Sequence, residues 1–161
     1  MTLAVLVLGL VTLQRLAELI LARRNTARLR AKGAHEVGAA HYPLIVALHG
    51  AWLAGLWYLA LDRTPSLPWL GVFLVLQAAR VWVIATLGER WTTRIIVLPG
   101  APLIANGPYR FVSHPNYCVV AAEILVLPLA FGLVWYGIVF SLLNGLILWL
   151  RIRAESAALR L

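Results

Sequence analysis

One cysteine, Cys118, stands in 161 residues. It excludes an internal disulfide framework and any metal site built from clustered cysteines. Acidic residues are also scarce: six Asp and Glu face 14 Lys and Arg, a formal net charge of +8. Charged residues make up 12% of the chain and hydrophobic ones 62%, where soluble domains average about 25% and about 45–50%. No soluble fold of this length has an interior that could hide so much apolar surface. A basic excess in so apolar a chain reads as membrane-protein loops obeying the positive-inside rule, not as a nucleic-acid face. There is no GxGxxG after a strand and no GxxxxGK(S/T), so neither a Rossmann site nor a P-loop is supported. His35, His41, His49 and His114 form no HxxxH or HxxH pair, which argues against a metal centre. His49 reads as a packed or hydrogen-bonded helix residue. No repeat, linker or low-complexity tract divides the chain, so residues 1–161 read as a single integral membrane domain.

What is present is hydrophobic length. A membrane-spanning helix needs about 20 mostly apolar residues. Leu3–Ala22, Pro43–Leu61, Trp69–Leu87 and Tyr117–Val134 meet this, and Tyr136–Leu150 is a shorter fifth whose helix can continue through Leu146–Arg151 into water. The first stretch lacks a basic segment before it and carries one after it, so it reads as a retained anchor and not as a secretory signal. Arg23, Arg24, Arg28, Arg30 and Lys32 follow the first span. Arg90, Arg94 and Arg110 follow the third, and Arg151, Arg153 and Arg160 follow the fifth. All of these fall on one side if the N-terminus is outside and the C-terminus cytoplasmic, as five spans allow. Trp57, Tyr58, Trp69, Trp135 and Tyr136 then mark the outer interface, and Trp91, Tyr109 and Trp149 the inner one. Trp52 and Trp82 lie deeper and read as packing. The expected fold is all-α and polytopic, with about five transmembrane helices. Its large segments, and hence its chemistry, lie on the cytosolic face, because loops positioned by a rigid scaffold carry function.

Ionisable residues inside spans are costly and therefore informative. Arg15 and Glu18 share a face of span 1, where an Arg near the inner end can snorkel. Gln77 and Arg80 are likewise three apart on span 3, placing Arg80 to order a cytosolic loop or touch a headgroup. Glu123 lies two turns into span 4 and needs a partner, either Arg80 or a substrate group. Pro128 is expected to kink that span. Ser141, Asn144, Leu148, Arg151 and Glu155 fall on one stripe of span 5. For Ser141 and Asn144 this suggests polar glue between helices.

The segment from Gly88 to Tyr117 holds four prolines, at 99, 102, 108 and 115, and cannot be one continuous helix. Asn106-Gly107-Pro108 is turn chemistry. Pro115 suits the first turn of a helix. Within it, GPYRFVSHPNY (107–117) resembles the GxYxxxRHPxY signature of the isoprenylcysteine carboxyl methyltransferase family. The tail RIRAESAAL (151–159) resembles that family's RIxxEExxL. Two motifs in the right order, each flanking hydrophobic spans, are more specific than either alone, and the likeness covers residues 70–161. Phospholipid methyltransferases and sterol-reductase-like membrane enzymes share a similar C-terminal design. The run WTTRIIVLPG (91–100) looks closer to a bacterial branch associated with alkylpyrone-type polyketide lipids than to the enzymes that process prenylated proteins in eukaryotes.

The resemblance implies an S-adenosyl-L-methionine-dependent O-methyltransferase with its cofactor site at the cytosolic face. It implies that Leu103, Ile104, Tyr109, His114, Pro115, Asn116 and Tyr117 line that site and that Glu155 holds the cofactor. It also implies that Arg151 meets the oxygen anion of a lipid-like or prenylated acceptor. A carboxylate acceptor is already ionised at neutral pH, its reference pKa near 4, and needs no base. A hydroxyl acceptor would need one or an oxyanion stabiliser, and Glu123 is the candidate. The expected acceptor is an isoprenylcysteine-type carboxylate, with a polyketide-lipid hydroxyl as the alternative. Three positions depart from the pattern: Ser113 replaces the Arg of RHPxY, Ser156 the second Glu of the tail, and Ala101 a His before GxY. Arg94 or Arg110 are candidates to compensate. The rival readings are a non-enzymatic lipid-binding membrane subunit, whose basic loop would dock anionic headgroups, and a transporter, against which the absence of repeats argues. The sequence suggests a bacterial inner-membrane protein and leaves its oligomeric state open.

Overall fold

The computed structural model describes residues 2–159, so Arg160 of the basic tail lies outside the described residues. Five helices run α1 (Leu3–Ala31), α2 (Tyr42–Leu59), α3 (Leu67–Leu87), α4 (Pro115–Ala130) and α5 (Val134–Leu159). The protein is an all-α polytopic membrane protein, and its helices carry the expected spans. Proline stands in the first turn of α2, α3 and α4, where its missing N–H costs nothing and its fixed φ starts the helix. A two-stranded antiparallel ribbon, β1 (His35–Val37) with β2 (Ile95–Val97), joins the segment after α1 to the segment after α3. The sequence reading did not foresee it.

Four helices are long and apolar enough to cross a bilayer. The short one is α4, not the fifth span as the hydropathy suggests. Its 16 residues rise only about 24 Å against a hydrocarbon core of about 30 Å. Its position explains how this is tolerated. Val119, Glu123, Ile124, Val126, Leu127, Pro128 and Ala130 are all buried, and α3 and α5 flank it, so neighbours, not lipid, surround it. The helix ends two residues beyond Pro128, whose carbonyl accepts from the N–H groups of Phe131 and Leu133. Leu74, Val75, Leu142 and Leu146, by contrast, are exposed on α3 and α5, as lipid-facing residues should be. Trp82 is also half-exposed and faces outward, whereas Trp52 is buried as expected.

The apolar core occupies one end of the bundle. Leu8 of α1, Trp52 and Leu56 of α2, Phe73 of α3, and Ile124, Leu127 and Phe131 after them form one cluster. The same end is closed by Ser66 donating its N–H to the Ala130 carbonyl and by Arg63 donating to Phe131 O. The basic residues gather at the opposite end, where a smaller apolar cluster of Ala22, Val83 and Trp91 is joined by polar contacts. There Asn25, buried on α1, donates to the carbonyls of Gly88 (3.1 Å) and Trp91 (2.8 Å). Glu36 of β1 bridges Arg30 and Arg94 at 2.6 and 2.7 Å. Thus α1, which extends well beyond its apolar stretch, is pinned to the loop between α3 and α4.

Candidate functional site at the basic end of the bundle

Between the two ends lies a layer of charge. Glu123 of α4 accepts from Arg15 Nη2 at 2.7 Å and from Gln77 Nε2 at 2.8 Å, and its Oε2 is 3.0 Å from Arg80 Nη1. Glu18 accepts from Arg80 Nε at 2.7 Å, Arg15 Nη1 at 3.0 Å and Gln14 Nε2 at 2.9 Å. Two carboxylates thus balance two guanidiniums from three helices, which is how charge is carried inside a membrane. Arg15 does not snorkel, and Arg80, 6% exposed, reaches neither a headgroup nor a cytosolic loop. Both turn inward because Glu123, fully buried, offers the stronger partner. Ser141 Oγ and both polar side-chain atoms of Asn144 are buried without a partner among the described residues, so they do not act as hydrogen-bonding glue.

Above this layer opens a cavity of about 840 Å³, toward the upper end of the roughly 300–1,000 Å³ usual for ligand pockets. Arg15, Glu18 and Arg80 line its deep end. Leu16 and Leu19 of α1, and Ile45, Val46 and Leu53 of α2, form an apolar slot between those two helices. At its mouth stand Arg151, Glu155, Tyr117, Asn116, His114, Tyr109, Leu103 and Ile104. The structure therefore brings together every sequence-derived candidate except two. Pro115 is buried at the start of α4 off the cavity wall, and Glu123 is enclosed by its ion pairs and does not line it. All three departures from the family pattern, Ala101, Ser113 and Ser156, do line it, as does Arg94; Arg110 does not.

Local folding sets each side chain. Gly107 has φ +55°, and a Cβ there would meet Thr86 Oγ1 at 2.6 Å; only glycine lets the Gly107–Arg110 turn press onto α3 and present Tyr109. Burial, with the Glu155 charge, pushes the Tyr109 hydroxyl up to about 12, so it stays a neutral donor. One turn separates Arg151 from Glu155 on α5. Glu155 Oε2 accepts from Tyr117 OH at 2.8 Å and lies 3.6 Å from His114 Nδ1. Arg151, 5% exposed, donates to the Thr93 carbonyl at 2.9 Å, and its guanidinium stands 5.9 Å from the Tyr117 ring centre. Thr93 Oγ1 in turn meets Tyr42 OH at 3.2 Å, and Arg94 stacks over the Tyr42 ring at 4.0 Å.

The model of the isoprenylcysteine carboxyl methyltransferase (ICMT) family matches residues 69–161, the stretch that supplies the whole mouth of this cavity. The chain belongs to that family. Family membership with four long apolar helices makes it a membrane methyltransferase. Among curated proteins it is 39% identical over 160 residues to the uncharacterized protein YpbQ of Bacillus subtilis, covering 96% of this chain and 95% of YpbQ. It is 28% identical over 152 residues to an uncharacterized protein of Haemophilus influenzae, covering 90% and 88%. No solved structure matches. The ICMT match omits α1 and α2, so Arg15, Glu18, Tyr42 and His49 on the cavity wall come from outside it. Motif reasoning missed Tyr42 and Thr93, which carry no signature. The only sequence signal for the wall of α2 was the seven-residue spacing of Tyr42 and His49, two turns on one face.

Proposed function

We propose that the protein transfers a methyl group from S-adenosyl-L-methionine to an oxygen of a lipid-like acceptor. We take the basic end as cytoplasmic and the membrane as a bacterial inner membrane. The observation that carries this reading is the continuity of one cavity from the ICMT motif residues to an apolar slot between α1 and α2. The residues fit the cofactor. Glu155 Oε1 has no partner among the described residues, while Tyr117 holds Oε2, so one carboxylate oxygen is fixed and the other is free for ribose hydroxyls or an amino group. The cofactor supplies a methyl on a sulfonium, which is already electrophilic. Arg151, held by the Thr93 carbonyl, provides a cation for the acceptor oxygen. The hydrophobic segment Ile95–Leu98 with Ile104 gives the site an apolar wall. The slot along Leu16, Leu19, Ile45 and Val46 takes the acceptor's chain from the bilayer. Catalysis is then largely positioning of nucleophile against methyl. Glu123 acts by holding Arg15 and Arg80 and does not itself meet the acceptor.

An isoprenylcysteine-type carboxylate and a polyketide-lipid hydroxyl both suit this arrangement. Transfer of radiolabelled methyl to farnesylcysteine analogues and to long-chain alkylpyrones tests the reading. Labelled lipid is expected with at least one class and is lost in Arg151→Ala and Glu155→Ala. Protein that binds anionic vesicles but neither the cofactor nor either acceptor would instead be a lipid-binding subunit.

A further inference from the structure

Tyr42 opens α2 and grips the loop between α3 and α4 by both its hydroxyl and its ring. The hydroxyl is 3.2 Å from Thr93 Oγ1, and the ring carries the Arg94 guanidinium at 4.0 Å. Thr93 is the residue whose carbonyl accepts from Arg151 Nη2 at 2.9 Å. The backbone on either side of it is already fixed. Asn25 holds the Trp91 carbonyl at 2.8 Å, and Ile95 pairs with Val37 in the ribbon. Between these pins Thr92 Oγ1 donates to the Arg94 carbonyl at 2.6 Å, and Glu36 holds the Arg94 side chain at 2.7 Å. What is left to set is the tilt of the Thr93 peptide. A threonine side chain is stiff about its first torsion, so a partner on Oγ1 steadies the backbone that presents the carbonyl. Tyr42 OH is that partner. Tyr42 lies outside the stretch matched to the ICMT family, whereas Thr93 and Arg151 lie within it.

We infer that Tyr42 is a positioning residue for Arg151, acting through Thr93. This rests on the methyltransferase reading above, which gives the acceptor oxygen to Arg151, and deepens it. On this account α2 does more than wall the cavity: it aims the cation. The lever is the Tyr42 hydroxyl, not the bulk of its ring. Aim matters because a guanidinium donates in a fixed plane, and displacing a group near the reacting atoms by about 1 Å can cost about a hundredfold in rate. The Tyr117 contact that holds Glu155 does not pass through Thr93. Tyr42 therefore acts on turnover and leaves cofactor affinity alone.

The test uses full-length protein in detergent micelles. Tyr42→Phe keeps the ring over Arg94 and removes the hydroxyl; Thr93→Val removes the same bond from the other side; Thr93→Ser keeps it. Phenylglyoxal modification of Arg151, followed by mass spectrometry, needs neither cofactor nor acceptor. Arg80, as buried as Arg151 and not bonded to Thr93, is the internal standard for general loosening. Tyr42→Phe and Thr93→Val are each expected to quicken modification of Arg151 about threefold or more relative to Arg80, the scale of one ordinary hydrogen bond. The double variant should go no further, and Thr93→Ser should match wild type. Unchanged relative rates in the single variants, or effects that multiply in the double one, would overturn the assignment. Thr93→Val against Thr93→Ser decides the matter if Tyr42→Phe fails to fold. In transfer of radiolabelled methyl to a farnesylcysteine analogue or a long-chain alkylpyrone, Tyr42→Phe is expected to lower kcat about three- to tenfold, with S-adenosylhomocysteine affinity within about twofold. Unchanged kcat, or an equal loss of affinity, would overturn it; if neither acceptor is labelled, the modification rates alone decide. Wild type that binds no S-adenosylhomocysteine overturns the methyltransferase reading, and with it the role in turnover, whatever the modification rates.

Discussion

Arg151 and Glu155 show how much a single side chain is asked to do. Arg151 has one nitrogen tied to the Thr93 carbonyl and a ring of Tyr117 beside it, so its plane is set before any ligand arrives. Lysine has the charge but not the fork, and its flexible stem would not hold that orientation. Arg151→Lys should lower methyl transfer by about tenfold or more while leaving cofactor affinity within about threefold, the pattern of an interaction made mainly with the reacting oxygen. A parallel loss in both would contradict it. Gly107 carries a second residue-scale expectation. Alanine there meets positive φ and the Thr86 side chain together, a strain of about 1–3 kcal/mol. Gly107→Ala should therefore lower the melting temperature and displace Tyr109, measurable as weaker cofactor binding; unchanged binding and stability would show that the turn does not position the site. These local features were legible in the sequence because they are local: Gly-Pro-Tyr, His-Pro and the Arg-to-Glu spacing each encode a turn, a helix start or a helix face. Arg15 was not legible as the partner of Glu123, because 108 positions separate them and only the fold closes that distance.

Among elements, α1 is the one whose placement the rest of the site depends on. It packs into the apolar core at one end and is held at the other by Asn25, which donates to two backbone carbonyls of the α3–α4 loop. Asn25→Ala leaves the Trp91 carbonyl without its donor, while Gly88 O keeps the Trp91 N–H, a cost of about 1–3 kcal/mol. Thermal unfolding should detect that loss, and proteolysis of the Gly88–Asn116 loop should quicken; a variant as stable and as resistant as wild type would refute the pin. Glu123 plays the equivalent part in the middle of the bundle. Glu123→Ala strands Arg15 and Arg80, and removing one partner from a buried charge pair costs about 3–5 kcal/mol. It should impair folding or thermal stability far more than Glu155→Ala does, and equal stabilities would argue that Glu123 serves chemistry instead. Hydropathy located the helices but misjudged which was short. The turn between α4 and α5 is Phe131-Gly132-Leu133, so a run of apolar residues continues straight through it. The charges of α5, Arg151, Arg153 and Glu155, lie in the C-terminal third of that helix. The β1–β2 ribbon escaped notice because three-residue strands are too short to show alternation.

The whole molecule is a bundle with unequal ends. Apolar packing closes one end, two buried carboxylates and two guanidiniums floor the middle, and the basic end holds a cavity walled by all five helices. This division explains the composition with which the chain began. Five of the six acids sit in this arrangement: Glu18 and Glu123 in the charge layer, Glu36 and Glu89 in clamps on the basic loops, and Glu155 at the mouth. Under the proposed function, Glu155 holds S-adenosyl-L-methionine in this cavity. Equilibrium binding of the radiolabelled cofactor to purified full-length protein, wild type beside Glu155→Gln, tests it most directly. Saturable binding by wild type is predicted, weakened about tenfold to a hundredfold in Glu155→Gln, the worth of one or two hydrogen bonds to a charged group. No saturable binding by folded wild-type protein, or equal affinity in the two, would contradict it.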